Sequence, residues 1–209
     1  MPGLFDAVAT SLRVAFLSTL IATTLGTLIA PALVRYQFRG AGSANLLIFL
    51  PMATPEIVLG ASLLTMFVSI GEPPCLPAQR VHDPIAHIMF NISFVVVTVR
   101  ARLAGLDRNL EEAAMDLGAN EWTTFWKVTF PLILPGIVAA ALLAFSLSID
   151  DFVITNFTAG RTVTFPMFIW GSYRIGIPPQ VNVIGTLIFL IAVGLVALSV
   201  VFQRRSARA

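Results

Sequence analysis

Two adjacent carboxylates, Asp150 and Asp151, close a long apolar run, and few other side chains in the chain could do chemistry. Neighbouring acids at the end of an apolar helix repel each other and lose hydration, so they require a compensating cation. Arg161 and Arg174 lie downstream and could supply it, and so could a positively charged cargo. The bland alternative is that the aspartates cap helices and pair with those arginines. An acid pair also raises aspartyl protease chemistry in the membrane. That chemistry needs aspartates from two different helices, whereas these are neighbours on one. A third acid, Glu56, follows Pro51 and Pro55 inside another apolar stretch. Proline frees backbone groups there, and a carboxylate in lipid must face protein or water. Glu56 therefore either lines a polar pathway or bonds to a freed amide and holds a kink.

Other chemistries find no footing. His82 and His87 stand five residues apart across Pro84, with no further His or Cys beside them, which argues against a metal site. A single cysteine, Cys75, rules out an internal disulfide and a Cys-based metal cluster. Phosphate loops need a Gly-rich backbone followed by Gly-Lys-Ser/Thr, and the only lysine, Lys127, follows Trp126. The chain is thus expected to be no enzyme and to hold no cofactor; any ATP must be used by another subunit.

The longest polar interval is Leu106 to Pro131, between two apolar segments. Asp107 can cap a first helix, with Glu111 and Glu112 near its positive end. Leu110, Ala113, Ala114 and Leu117 fall at i, i+3, i+4 and i+7, giving one narrow apolar stripe. Gly118 suits the left-handed position that closes a helix. Asn120 can cap a second short helix, which Pro131 is expected to stop. Two alanines on the apolar face let another backbone come close, as a plug fits a socket.

The elements around these residues are greasy. Hydrophobic residues make up 57% and charged residues 11% of 209, and five stretches are long enough or nearly long enough to span a bilayer as helices. They lie at about 14–34, 46–70, 85–100, 132–150 and 181–203, with an inward loop at about 103–130, and together they predict one transmembrane domain over 1–209. The third is short for a span. If the loop at 35–45, the central loop and the tail face the cytoplasm, they hold Arg35, Arg39, Arg100, Arg102, Arg108, Lys127, Arg204, Arg205 and Arg208. Arg13, Arg80, Arg161 and Arg174 remain outside, and this asymmetry obeys the positive-inside rule with a cytoplasmic C-terminus. The basic balance reports topology and does not point to nucleic acid. Nineteen helical steps from Pro131 cover roughly 28 Å, which puts Asp150 at the outer end. Arg35, Tyr36, Phe38 and Arg39 read as a membrane-surface anchor, Gly71–Pro84 as a proline-rich outer loop, and Val153–Val181 as an outer segment with short helices.

Glu112-Ala113-Ala114, then Gly118, Val128, Phe130 and Pro131, resemble the EAA loop of ABC-transporter permease subunits. Val128 and Phe130 stand where that pattern usually has Ile and Leu. The resemblance implies an all-α, type I importer permease bundle of about five helices with a cytoplasmic coupling helix. It implies that Glu111, Glu112, Ala113, Ala114, Gly118 and Pro131 meet a dimeric ABC ATPase. It also implies a second permease subunit, an extracytoplasmic substrate-binding protein, surrounding membrane lipid and a bacterial inner-membrane location. Permeases of this type usually have one further span before this point, so either the N-terminus lies outside or the start is late; a truncated, inactive remnant is the corresponding alternative.

LSIDDFVITNFTAG, with TFPMFIWG and GIPPQVN after it, resembles the second permease subunit of spermidine/putrescine transporters, the 71–84 loop being the part that fits least. That resemblance implies a polyamine cargo, met by Asp150, Asp151 and Phe152; Glu56, on the pathway reading, stands near its inner end. Carboxylates beside Phe152, Phe157, Trp170 and Tyr173 suit a flexible polycation through charge and cation–π contact. A different small organic solute is the alternative cargo.

Overall fold

The computed structural model describes residues 3–36, 38–70, 82–173, 176 and 178–206, with the backbone alone for 192 and 195–206. The stretch 71–81 with Cys75 and Arg80, together with Arg174 and Arg208, lies outside the described residues, as do the side chains of Arg204 and Arg205. Among the described residues ten α-helices follow one another: α1 (Leu4–Arg35), α2 (Ala41–Ala53), α3 (Glu56–Ile70), α4 (His82–Ala104), α5 (Asn109–Asp116), α6 (Glu121–Thr124), α7 (Phe130–Asp150), α8 (Val153–Thr158), α9 (Phe165–Tyr173) and α10 (Pro179–Ser206). A π-helical turn, Phe125–Thr129, joins α6 to α7. There is no strand among the described residues. The chain divides into two compact units, Pro2–Met167 and Phe168–Ala209.

The first unit is built on α1. Its buried residues include Ser11, Ala15, Ser18, Ala22, Gly26 and Ala30, spaced three and four apart along one face. Small residues at this spacing let helix backbones approach, which is the main source of packing energy where lipid is as apolar as the helix surface. Helix α4 lies against that face in the same direction, with Val95 opposite Gly26. Helix α7 returns antiparallel. Val95, Val96, Val99 and Leu103 of α4 join Ile133, Ile137, Ala140 and Ala144 of α7 in the core around Ala22 and Ala30. A second cluster unites Leu63 and Phe67 of α3, Ala86 and Phe90 of α4, and Ile154 of α8.

Helices α1, α4 and the continuous run Glu121–Asp150 are long and apolar enough to cross a membrane. Several bounds differ from the sequence expectation. Helix α1 begins ten residues before position 14, at Leu4. The short third stretch is extended by His82–Pro84 and by Ala101–Ala104 to a 23-residue helix, so it needs no thinned bilayer. The stretch at 46–70 is not one helix: α2 and α3 meet at a bend of 112°. Pro51 sits within α2, and Thr54, the residue before Pro55, is extended, as the clash between a proline ring and its predecessor favours. Pro131 does not stop the second short helix. Helix α6 runs through the π-turn into α7, and Pro131 sits directly after that turn, inside the continuous run. The wide turn before it, closed by the Phe130 N–H on the Phe125 carbonyl, takes up the misfit. The last expected span falls on α10, 28 residues long.

A Cβ added at Gly26 would lie 2.5 Å from Val95 Cγ1. Gly26→Val is therefore expected to destabilise the first unit by about 1–3 kcal/mol, and Val95→Ala to recover part of that loss. Detergent unfolding followed by circular dichroism measures both; equal stability of Gly26→Val and wild type would reject the close approach.

Candidate functional site

The predicted site residues sit at opposite ends of α7. At its first end, α5 carries Glu111, Glu112, Ala113 and Ala114, and the helix has no buried residue. Asp107 accepts the Asn109 N–H at 3.0 Å and so caps the start, as its position suggested. Gly118 has φ +88°, the left-handed conformation expected of it. Asn120 Oδ1 accepts the Thr123 N–H at 2.8 Å and starts α6. Leu110, Ala113 and Leu117 are all exposed, Leu117 to 91%, so the apolar stripe faces outward and not into its own bundle.

Glu111 does the opposite. Its Oε1 pairs with Arg35 at the end of α1 and accepts the Thr129 hydroxyl at 2.7 Å from the π-turn. The Tyr36 phenol donates to Glu121 Oε2 at 2.8 Å. That hydrogen bond, with the carboxylate charge behind it, raises the Tyr36 pKa above its ordinary value of 10.0. A cavity of about 220 Å³ opens among Arg35, Tyr36, Arg108, Glu111, Glu121 and Phe125. Trp122, Trp126, Phe125 and Phe130 form a chain of tilted and edge contacts beside it. The loop is thus sorted by function: Glu111 faces inward and holds the bundle, while Glu112, Ala113, Leu117 and Gly118 are presented outward.

At the far end of α7 the two aspartates separate. Asp151 leaves the helix with extended backbone, and its carboxylate accepts the Thr155 N–H at 2.8 Å, the Thr155 hydroxyl at 2.9 Å and the Ile154 N–H at 3.3 Å. It caps α8. Asp150 is exposed, and neither it nor Arg161 forms an ion pair among the described residues. The expected pairing of both acids with a local arginine does not occur with Arg161. Phe152 lies half-buried beside Asp151. Glu56 is exposed in the first turn of α3, past the bend, with no hydrogen bond to a freed amide among the described residues. Phe157 packs on Gly60 of that same helix. Trp170 and Tyr173 stack 6.5 Å apart within the second unit.

Sequence reasoning missed the other partner of Asp151. His87 Nε2 stands 3.6 Å from Asp151 Oδ2 and 3.5 Å from Asp83 Oδ1, and all three side chains are buried. Asp83 and His87 are four apart on α4, one turn of one helix face, a spacing that marks a local pair. Weighing the histidines only as metal ligands hid it.

A family model described as "Binding-protein-dependent transport system inner membrane component" matches residues 22–209. The putrescine transport system permease protein PotI of Escherichia coli (strain K12) is 42% identical over 198 residues, covering 93% of this chain and 70% of that protein. The spermidine/putrescine transport system permease protein PotC of Haemophilus influenzae is 36% identical over 204 residues, covering 97% and 78%. Among solved structures, an amino acid ABC transporter crystallised with histidines gives a TM-score of 0.72 at 18% identity, covering 97% of this chain and 93% of that one. The inward-facing MetNI methionine ABC transporter gives 0.72 at 19%, covering 98% and 94%. These two likenesses speak to the fold.

Arg35→Ala and Glu111→Ala are expected to destabilise the unit non-additively, with a coupling of about 0.5–3 kcal/mol. A double-mutant cycle in detergent unfolding reads it, and additive losses would show that the pair holds nothing.

Proposed function

The chain belongs to the binding-protein-dependent transport system inner membrane components, as the permease subunit of an ABC importer, and from that premise we propose that it carries polyamines. The observation that carries the reading is the likeness to putrescine and spermidine/putrescine permeases over more than nine-tenths of the chain. Asp150 supports it. An exposed carboxylate at the end of an apolar helix, without an arginine beside it among the described residues, is available to an organic cation. Asp151 is already engaged in capping α8, so the cargo role falls to Asp150. Glu56, exposed past the α2–α3 bend, is a second carboxylate of the pathway, and Phe152 lies next to the acids.

Transport is powered by a separate ATPase, a dimer that receives α5. Glu112, Ala113, Ala114 and Gly118 form the coupling surface. Glu111 anchors it to α1 and the π-turn, and Pro131 sits at the start of the rod that carries the movement. A second permease completes the pathway, and an extracytoplasmic binding protein delivers the cargo. The α5 end and the C-terminus face the cytoplasm of a bacterial cell.

Uptake of labelled putrescine and spermidine by a strain lacking this chain tests the cargo: uptake of at least one should fall to background and return with the gene. Unchanged uptake of both, with no redundant system present, would remove the polyamine reading. Asp150→Asn should lower uptake about tenfold at wild-type membrane levels, by loss of one charge contact with the cargo. Asp151→Asn should instead lower the amount of folded protein.

Gly118 has open space around a Cβ but a left-handed backbone, so the obstacle to substitution is conformational. Gly118→Asn should accordingly keep more substrate-stimulated ATP hydrolysis than Gly118→Val, because Asn tolerates that conformation and a β-branched residue does not. Equal loss in both, at equal membrane levels, would show that the surface and not the turn is what matters there.

A further inference from the structure

A buried polar cluster lies where α1, α4, α7 and α8 meet. Ser18 Oγ lies 3.2 Å from the Ala15 carbonyl and 3.0 Å from Ser148 Oγ, and either serine can donate in the contact between them. Ser148 Oγ stands 2.7 Å from His87 Nδ1 and accepts from that nitrogen when it carries a proton. The other side of the ring has a direction. Thr155 gives its hydroxyl proton to Asp151 Oδ2 at 2.9 Å and offers a lone pair to His87 Nε2 at 2.9 Å. Asp83 Oδ1 and Asp151 Oδ2 also converge on Nε2. A bare nitrogen there would turn its lone pair toward three oxygens, so Nε2 carries a proton, and the two carboxylates facing it favour a positive ring.

We propose that His87 is a buried imidazolium clamped between Asp83 and Asp151, and that it is the positioning residue that holds α8 against α4 and α7. The clamp reaches every element packed around it. Helix α4 contributes Asp83, α1 contributes Ser18, α7 contributes Ser148, the α7–α8 joint contributes Asp151, and α8 contributes Thr155. One turn further on α8, the Thr158 hydroxyl lies 3.0 Å from Asp83 Oδ1 and 3.0 Å from the Ile154 carbonyl and shares its one proton between them. No arginine or lysine pairs with either carboxylate among the described residues. Among the described residues the imidazolium is then the one cation in contact with these two buried acids. Asp83, 1% exposed, retains one oxygen, Oδ2, without a hydrogen bond. Removing the cation leaves two uncompensated carboxylates, which costs far more than losing a neutral hydrogen bond. The assignment rests on the permease reading but not on the identity of the cargo.

The chain has only two histidines, His82 and His87. In the assembled transporter in lipid at neutral pH, with nitrogen-15 histidine confined to this chain, the His82→Gln variant carries the His87 ring as its one labelled imidazole. Two protonated nitrogens are expected; one bare nitrogen would overturn the proposal whatever happens to transport. Uptake provides the second arm. His87→Gln should reduce it about tenfold or more, and adding Asp83→Asn, which removes one of the two charges left uncompensated, should recover several-fold of that loss. No recovery in the double variant, at a membrane level equal to that of the single one, would overturn the charge clamp. Native uptake with a neutral ring would refute the clamp and leave the transport reading standing.

Discussion

The structure depends on how closely α1 lets its neighbours approach. Between helices in lipid there is little hydrophobic gain, so association rests on dispersion contacts and buried hydrogen bonds, both of which decay within about an ångström of separation. A face of Ser11, Ala15, Ser18, Ala22, Gly26 and Ala30 meets that requirement without a large side chain. Its register matters at both ends. Ser18 reaches the histidine cluster through Ser148, and Arg35 reaches Glu111, seventeen residues further along the same helix. A slip of one turn along α1, about 5.4 Å, would break both at once. The seam therefore keeps two distant polar constellations in step.

The acids near α8 show how local chain geometry divides labour between identical side chains. Asp150 completes α7 and points from a helix already satisfied by its own backbone. Asp151 has extended backbone, which turns its carboxylate onto the free N–H groups at the start of α8. One residue of difference in position separates a structural group from an available one. Mutual repulsion, which seemed to demand a single shared cation, is relieved instead by sending the two charges into different surroundings. The same division appears at the other end, where Glu111 turns inward to Arg35 and Thr129 while its neighbour Glu112 is exposed.

Composition and local signals were enough to reveal the helical class, the outward stripe of α5, the left-handed Gly118 and the cap at Asn120. All are encoded within a few residues of one another. The missed features depend on distant partners or on how two nearby irregularities combine. Pro131 reads as a stop in isolation; only the π-turn before it, which leaves no hydropathy signature, lets the helix continue. Pro51 and Pro55 read as a kink, but an extended Thr54 makes the bend a break. His87 was legible as half of a pair with Asp83, yet Ser148, Thr155 and Asp151 lie more than sixty positions away, beyond the reach of any periodicity. The second acid of the pair became structural through tertiary contacts that sequence spacing does not contain.

If α5 is the lever of the transporter, the path it drives is short in residues and long in space. Helix α6, the π-turn and α7 form one run from Glu121 to Asp150, so displacement at one end is delivered along about 44 Å of helix. A rod of that length transmits a push only if its base is fixed to the lever. Glu111 supplies the joint, because a single carboxylate accepts from Arg35 on α1 and from Thr129 on the π-turn. The lever is tied to two antiparallel rods at once, and a tilt imposed on α5 moves them together. That joint is on the π-turn itself, and two prolines, Pro131 and Pro135, follow it. Each weakens the helical hydrogen-bond ladder locally. Bending is thereby concentrated in the first half of the run, and the segment from Gly136 to Asp150 is left as a stiffer arm whose end carries the joint to α8.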